Sequence, residues 1–197
     1  MVTSSTTGDE SGSSTGDEPD VRVPTEPVML VYTAPNWSGN SAAALPAGET
    51  LFDHCFLHRL DRCDLEVDPV PLVRTNDDGF SGILVDLGIL GNEPVYAGSG
   101  DGTRLIANGL LTMFTEDLVH SLADAGVDTY GEQQFWSGGF DDAPLANCND
   151  WSAGTSSVGM VGNFDLVEFW FDEETLECSA SLPILCVCES IPNAFGG

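Results

Sequence analysis

Six cysteines and two neighbouring histidines carry most of the reactive chemistry in this sequence. An even number of cysteines suits disulfides in an exported protein, and a metal site or redox chemistry in an intracellular one. The first case requires oxidised cysteines and the second requires free thiols. The two cases are distinguished by the helix and the strand that carry the cysteines. The cysteines are Cys55, Cys63, Cys148, Cys178, Cys186 and Cys188.

One hypothesis for these residues is a zinc site. His54 and His58 lie four apart on one face of a predicted helix, and Cys55-x2-His58-x4-Cys63 together with Cys186-x-Cys188 offers nitrogen and sulfur ligands. Zinc-ligand pairs usually lie two to four residues apart, so Cys186-x-Cys188 is too tight. No cysteine has a basic setting that would lower its pKa. A metal-dependent enzyme using the two histidines is therefore a distant alternative, and no catalytic, cofactor or metal residue is predicted.

The disulfide reading rests on one helix and one strand. Thr50 to Asp53 has the spacing of a capping box, and apolar residues then recur at helical spacing as far as Cys63. Cys55 and Cys63 would lie about 12 Å apart on that helix, whereas Cys186 and Cys188 share one face of a strand. A helix packed beneath the strand could pair Cys55 with Cys188 and Cys63 with Cys186, leaving Cys148 and Cys178 to close a loop. Six cysteines permit 15 pairings, so spacing alone leaves the pairing open.

The other predicted elements are short and mixed, which favours an α+β fold. A second helix is predicted from Thr115 to about Ala125, with Leu118, Val119 and Leu122 on its apolar face and Gly126 ending it. Strands are predicted at 28–33, 134–137, 166–171 and 182–189, with two more flanking a turn at 76–79, and a further turn at 98–102 precedes residues 103–107.

The charge balance restricts the partners. There are 32 acidic residues and five basic ones, all arginine, for a net charge of −27. Such a surface repels nucleic acid and anionic membranes, so neither is an expected partner.

The same charge predicts that salt stabilises the protein. Carboxylates repel one another at low ionic strength, and salt screens that repulsion over roughly 10 Å at 0.1 M. We expect the free energy of unfolding to rise with NaCl concentration in denaturant titrations, as for a protein of a saline or divalent-rich environment. A flat or falling dependence would contradict this prediction.

The length of 197 residues suits one domain. Residues 3–20 contain only Ser, Thr, Gly, Asp, Glu and Pro, and residues 1–26 are predicted to be a disordered acidic spacer. The folded domain is predicted at 27–190 and a flexible tail at 191–197. No run reaches the ~18–20 apolar residues of a membrane span, and no signal-peptide pattern is visible. If the cysteines form disulfides, the protein is exported although its export signal is not visible in this chain.

Several segments together resemble one family. Phe135-Trp136-Ser137-Gly138, Cys148-Asn149-Asp150-Trp151-Ser152 and Leu185-Cys186-Val187-Cys188-Glu189 follow in that order, with Trp170 and Cys178 between the last two. This order resembles the C-terminal half of C-type-lectin-like domains, most closely the bacterial endostatin-like branch of secreted proteins and lipoproteins. The similarity covers roughly residues 95–190.

The resemblance implies a C-type-lectin-like fold with two helices, small antiparallel sheets, a long irregular loop region and disulfides. It implies the bridges Cys55–Cys188 and Cys148–Cys178, with Cys63 and Cys186 as an added pair. Val187 stands where the family usually has Tyr. The calcium-dependent sugar triplets are missing, because Glu93-Pro94 is followed by Val95 and Asn149-Asp150-Trp151 has the reverse order.

The family's variable loop falls on a polar stretch of this chain. The candidate ligand residues are Phe140, Asp141, Asp142, Asn147, Asn149 and Asp150. In the alternative reading, Asn147 and Asn149 satisfy loop backbone while Trp151 fills the core. Calcium could bind the carboxylates at 77–79, 101–102 or 141–142, although Asp-Gly is first a turn signal.

The sequence therefore predicts a non-catalytic, extracytoplasmic recognition module, secreted or surface-anchored, that binds a protein or glycan through its loop region. The alternative is a structural cell-surface or matrix domain without a specific ligand. Non-reducing peptide mapping is the decisive first experiment, because six free thiols would remove the disulfide framework and the export inference together.

Overall fold

The computed structural model describes residues 24–39, 50–75, 82, 92–99, 104–139, 146–151 and 157–195. Over these residues the fold is mixed α+β, with a sheet of eight strands. The strands are β1 Met29–Ser38, β2 Val70–Pro71, β3 Val95–Ala97, β4 Leu105–Ala107, β5 Gln134–Trp136, β6 Val158–Asn163, β7 Glu174–Glu177 and β8 Ser181–Glu189. The helices are α1 Leu51–Leu57, α2 Leu110–Thr115 and α3 Leu122–Ala125, and a further helical turn spans Cys148–Trp151.

The first and last strands form the centre of the sheet. The strand order is β4-β3-β1-β8-β5-β6-β7, with β2 also paired to β8. β1 and β8 run antiparallel from Met29 opposite Glu189 to Ser38 opposite Ser181, with an irregularity between Ala34 and Trp37. β1–β3 and β5–β8 are parallel pairs. The expectation of small antiparallel sheets is thus wrong for the described residues, because the two longest apolar strands pair and the short ones extend a single mixed sheet.

Alternation along the central strands creates two cores. Met29 and Val31 of β1 face one side of the sheet, and Leu30 and Tyr32 face the other, as the two-residue period of a strand requires. The first side, here called the helix-side core, includes Leu110, Met113, Phe114, Leu122, Phe135, Phe164, Trp170 and Phe171. The second, the disulfide-side core, includes Trp37, Trp136, Trp151 and all six cysteines.

Helix α1 begins as predicted and ends early. Thr50 caps it, and the Thr50 and Asp53 side chains bond each other's backbone N–H groups. The helix ends at Leu57, so Cys63 does not lie on it. Phe52 and Phe56, predicted on its apolar face, are exposed. Only Cys55 of this helix is buried.

The second predicted helix is two short ones. Thr115 ends α2 instead of capping a helix, and α3 starts after Ser121, whose hydroxyl accepts a hydrogen bond from the Asp124 N–H. Gly126 ends α3 in the left-handed conformation, with φ of 94°, as predicted. Leu118 and Leu122 are buried but Val119 is exposed, because the chain between the two helices turns away from helical geometry.

The predicted strand at 166–171 does not form. These residues make a turn in which Trp170 and Phe171 are buried and Phe169 is exposed. A run of aromatic residues without strict alternation does not distinguish a strand from a buried turn. The strands predicted near 28–33, 134–137 and 182–189 are confirmed with shifted ends. In the 70–85 region only β2 is described, and the turn at 76–79 lies outside the described residues.

The C-terminal residues 191–195 lie against the domain, where a flexible tail was predicted. The Ile191 N–H donates to the Arg62 carbonyl at 2.9 Å. The Phe195 ring lies 6.4 Å from the ring of Tyr96 and 4.9 Å from the Arg62 guanidinium carbon. Within the described ranges, no helix has the length and apolar character needed to cross a membrane.

Candidate functional site

All six cysteines are joined in three disulfides: Cys55–Cys186, Cys63–Cys188 and Cys148–Cys178. The Cys148–Cys178 bridge is the one expected. The pairing of Cys55 with Cys188 and of Cys63 with Cys186 is wrong. Cys55 and Cys63 are both in disulfides, and zinc binds cysteine in the thiolate form. The zinc site considered at Cys55, His58 and Cys63 therefore has no thiolate ligands.

Backbone contacts explain why the first two bridges exchange partners. Beyond α1 the chain runs antiparallel to the end of β8, where Cys63 forms a β-bridge with Ser190 and the Asp64 N–H donates to the Glu189 carbonyl at 2.8 Å. This brings Cys63 to Cys188. Cys55 is held further along β8, because its carbonyl accepts a 2.7 Å hydrogen bond from the Tyr32 hydroxyl and Tyr32 lies opposite Cys186.

The predicted ligand loop contains a left-handed helical turn. Cys148, Asn149, Asp150 and Trp151 all have positive φ, between 52° and 59°. The Trp151 N–H closes the turn on the Asn147 carbonyl at 2.7 Å. Left-handed geometry costs roughly 1–2 kcal/mol per L-residue, and Asn and Asp tolerate it best. The turn therefore persists because the surrounding structure holds it.

Three contacts fix the turn at its base. The Cys148–Cys178 disulfide joins it to the end of β7, and Asn147 forms a β-bridge with Gly159 of β6. The Asn147 side-chain oxygen also accepts a 3.1 Å hydrogen bond from the Asp150 N–H. Asn147 is buried, whereas Asn149 and Asp150 are exposed. The backbone-satisfying role weighed for Asn147 is thus the one observed, and Asn149 and Asp150 remain on the surface.

A tryptophan cluster packs beneath the turn. The Trp151 ring lies 5.5 Å from Trp37 and 5.8 Å from Trp136, measured between ring centroids. The Trp136 indole N–H donates to the Trp37 carbonyl at 3.0 Å, and that of Trp151 donates to the Arg74 carbonyl at 3.0 Å. Trp151 therefore fills the core, as the alternative reading held, and anchors one end of the turn.

Gly159 lets the strand approach this cluster, which gives a testable prediction. A Cβ at Gly159 would lie 2.8 Å from the Cys148 sulfur and 2.8 Å from the Trp136 ring. Both groups are rigidly held, so Gly159→Ala should lower the free energy of unfolding by about 1–3 kcal/mol in urea titrations. Gly159→Val should lose more than Gly159→Ala, because the larger side chain meets the same sulfur and ring at closer range. An unchanged stability in Gly159→Ala, or no further loss in Gly159→Val, would show that packing at Gly159 is not tight.

The other predicted site residues fall on segments that the structure does not describe. Phe140, Asp141 and Asp142 lie outside the described residues, as do the calcium candidates at 77–79 and 101–102. Across the described part of the chain, no group of three or more His, Cys, Asp or Glu side chains is placed to hold a metal ion.

His54 lies on α1 and His58 is the residue that follows its end, with the two ring centroids 4.9 Å apart. A His54 ring nitrogen lies 3.1 Å from the Pro35 carbonyl oxygen. Partial burial lowers the pKa of His58, and the neighbouring His54 lowers it further. The two histidines therefore form a ring contact at the surface, in which His58 is protonated less readily than an ordinary histidine.

The lowered pKa of His58 predicts a pH dependence. As the pH falls below about 6.5, His58 takes up a proton more readily in the unfolded chain than in the folded protein. Protonation of this histidine therefore lowers the free energy of unfolding as the pH falls through that value. An NMR titration should give His58 a pKa below 6.5. His54→Gln should raise it, because the second cause is removed, while His120→Gln should leave it unchanged. A His58 pKa unaltered by His54→Gln would contradict the coupling.

Sequence reasoning missed the handedness of the turn and the exposure of Phe169. The adjacent Asn149-Asp150 pair is a usable signal for the turn, because these residue types are enriched in left-handed conformations. Phe169 left no such signal, since an aromatic residue between Trp170 and an apolar run reads as core.

No known family model matches the sequence, and no curated protein is significantly similar to it.

Proposed function

We propose that this chain is a non-catalytic recognition domain that works outside the cytoplasm, where it binds a protein or glycan through the turn around Asn149 and Asp150. The observation that carries the proposal is the turn itself, in which two exposed polar residues are displayed by a left-handed backbone fixed by a disulfide. Strain of this kind is retained where the surrounding structure enforces it, and it is concentrated at functional sites.

The chemistry of the turn suits hydrogen-bonded recognition. Asn149 offers an amide donor and acceptor, and Asp150 offers carboxylate acceptors. A rigid display lowers the ordering cost of binding. The three intramolecular disulfides support an oxidising, extracytoplasmic location.

A C-type-lectin-like fold of the endostatin-like branch is part of the same proposal. It is supported by the pairing of the first and last strands, by a bridge from α1 to β8 and by a loop bridge at Cys148–Cys178. The exchanged pairing of Cys55 departs from what the resemblance implied.

Glycan and protein arrays test the proposal with a variant that preserves the backbone. Asn149→Gly/Asp150→Gly removes both side chains, and glycine favours the left-handed conformation that the turn requires. We expect array signals of the unaltered protein to be lost in this variant. Asn193→Gly is the matched control, because Asn193 is also exposed with φ of 57°. No signal for the unaltered protein, or signals kept by the double variant, would favour a structural domain without a specific ligand at this turn.

A further inference from the structure

A groove separates the end of α2 from the turn that precedes β7. It is lined by residues 114–117 and 167–170 and has a volume of about 360 Å³, toward the small end of ligand sites, which span roughly 300–1,000 Å³. Its walls are joined by a hydrogen bond from the Leu118 N–H to the Val167 carbonyl at 3.1 Å. The groove belongs to the helix-side core, whereas the Asn149–Asp150 turn lies over the disulfide-side core.

The floor of the groove is rigid and aromatic. Phe114 and Trp170 lie with ring centroids 5.9 Å apart, and the Trp170 indole N–H donates to the Met113 carbonyl at 3.1 Å. Both residues are buried, with Phe114 9% and Trp170 1% exposed. The floor is therefore formed before any ligand arrives.

Phe169 stands over this floor in an unusual state. Its side chain is 74% exposed, and its φ is 52°, in the left-handed region. A bulky residue is a genuine outlier there. The turn at Phe169 buries Trp170 and Phe171, which follow it, but it buries little of Phe169 itself. Core packing therefore accounts for the backbone turn and not for an exposed aromatic residue at this position.

The rim of the groove is anionic. Glu116, Asp117 and Glu168 are exposed lining residues, and among the described residues no arginine or histidine lines the groove, while the sequence has no lysine. Three of the four described arginines have side-chain contacts outside the groove: Arg59 lies over Phe56, Arg62 over Phe195, and Arg104 donates to the Asp124 carbonyl. The rim carboxylates are not grouped to chelate one metal ion. The charge of the groove therefore matches several separated cationic groups better than a single ion.

We infer that this groove docks a basic segment of a partner polypeptide, with an arginine or lysine side chain packed on Phe169. The methylene stem of such a side chain covers the apolar face of the groove while its charged head reaches the rim carboxylates. A cation over the Phe169 ring gains a further cation–π attraction. The inference goes beyond the proposed function, because it concerns a different surface and uses neither Asn149 nor Asp150.

Fluorescence anisotropy with a labelled peptide of alternating arginine and alanine tests the inference at about 0.15 M NaCl, where long-range attraction to the acidic surface is screened. We expect the unaltered protein to bind with a Kd below about 1 mM. Phe169→Ala should raise the Kd about tenfold, the upper part of the cation–π range. Glu116→Gln/Asp117→Asn/Glu168→Gln should raise it at least as much.

Two matched controls separate the groove from the general charge of the surface. Tyr130→Ala removes another exposed aromatic residue with φ of 52°. Asp61→Asn/Glu66→Gln/Glu177→Gln neutralises three exposed carboxylates outside the groove. Both controls should leave the Kd within about twofold. Equal losses in groove and control variants, or no binding by the unaltered protein, would overturn the inference, and thermal melts would verify that each variant is folded.

Discussion

Replacing Cys55 and Cys186 together with alanine should lower the free energy of unfolding by only about 3 kcal/mol, even though the bridge spans 131 residues. The reason is the neighbouring Cys63–Cys188 bridge, which spans 125 residues. With one bridge intact, the other closes only the short ring through residues 55–63 and 186–188, twelve residues in all. Chain entropy assigns a ring of that size roughly 3 kcal/mol.

Removing both bridges should have a much larger effect. The second bridge to be lost releases a loop of more than a hundred residues, which the same relation values at about 5 kcal/mol. The total of roughly 8 kcal/mol lies within the entire stability of ordinary domains, about 5–15 kcal/mol. A variant in which Cys55, Cys63, Cys186 and Cys188 are all replaced should therefore be unfolded, or close to it. Under the same conditions, each variant that lacks one of the two bridges should be folded.

Urea titrations of the three variants, followed by far-UV circular dichroism, measure this redundancy. Removal of Cys148 and Cys178 is the control, because that bridge closes a separate loop of 30 residues, nested within the 131-residue loop, and the other two bridges change its loop length little. It should cost about 3–4 kcal/mol whether or not another bridge is present. If the four-cysteine variant lost no more than the two pairwise losses together, the redundancy would be refuted.

The sequence was most informative where local chemistry decides the structure. The capping box at Thr50, the glycine end of α3 and the apolar run of β8 each depend on interactions within a few residues. These features were predicted correctly for that reason. The Cys148–Cys178 bridge was also predicted, both as the pair left once the other four cysteines were placed on a helix and a strand and from the family resemblance.

Long-range contacts account for what was missed. The exchanged pairing of Cys55 and Cys63 depends on the Tyr32–Cys55 hydrogen bond and on the β-bridge to Ser190. Neither contact leaves a periodic trace in the sequence. The early end of α1 follows the same rule, because helical spacing continued to Cys63 while tertiary contacts drew the chain along β8. Spacing predicts which residues share a face only as far as the element extends.

The candidate site was predicted in part. The polar stretch around Asn149 was identified as ligand-facing, and the structure leaves Asn149 and Asp150 exposed there. Asn147 was included and is buried at the base of the turn. The difference arises because the three residues are equally polar in sequence, while only the backbone handedness determines which of them points outward. The aromatic groove involves segments about fifty residues apart, and no motif connects them.

Trp136→Ala should be among the most damaging single substitutions in the chain, with a loss of about 3–5 kcal/mol. Trp136 is fully buried and contacts Trp151, and its indole N–H satisfies the Trp37 carbonyl. Truncation removes the ring from beneath the left-handed turn and leaves that carbonyl without its donor, at a further cost of about 1–3 kcal/mol. Urea titration should therefore show a far lower midpoint. Thiol reducing agents should also reduce the Cys148–Cys178 disulfide faster, because it becomes more exposed.

Phenylalanine substitutions separate packing within the tryptophan cluster from general core loss, since they keep an aromatic ring and should leave the protein folded. We expect Trp136→Phe and Trp151→Phe to be non-additive by about 0.5–1.5 kcal/mol, because the two rings are in contact. Trp136→Phe and Trp170→Phe should be additive, because Trp170 lies in the helix-side core across the sheet. Equal coupling in both pairs would mean that the two cores respond as one, and the turn could not then be regarded as a separately supported site. Coupling confined to the first pair would tie the stability of the Asn149–Asp150 display to the three tryptophans beneath it.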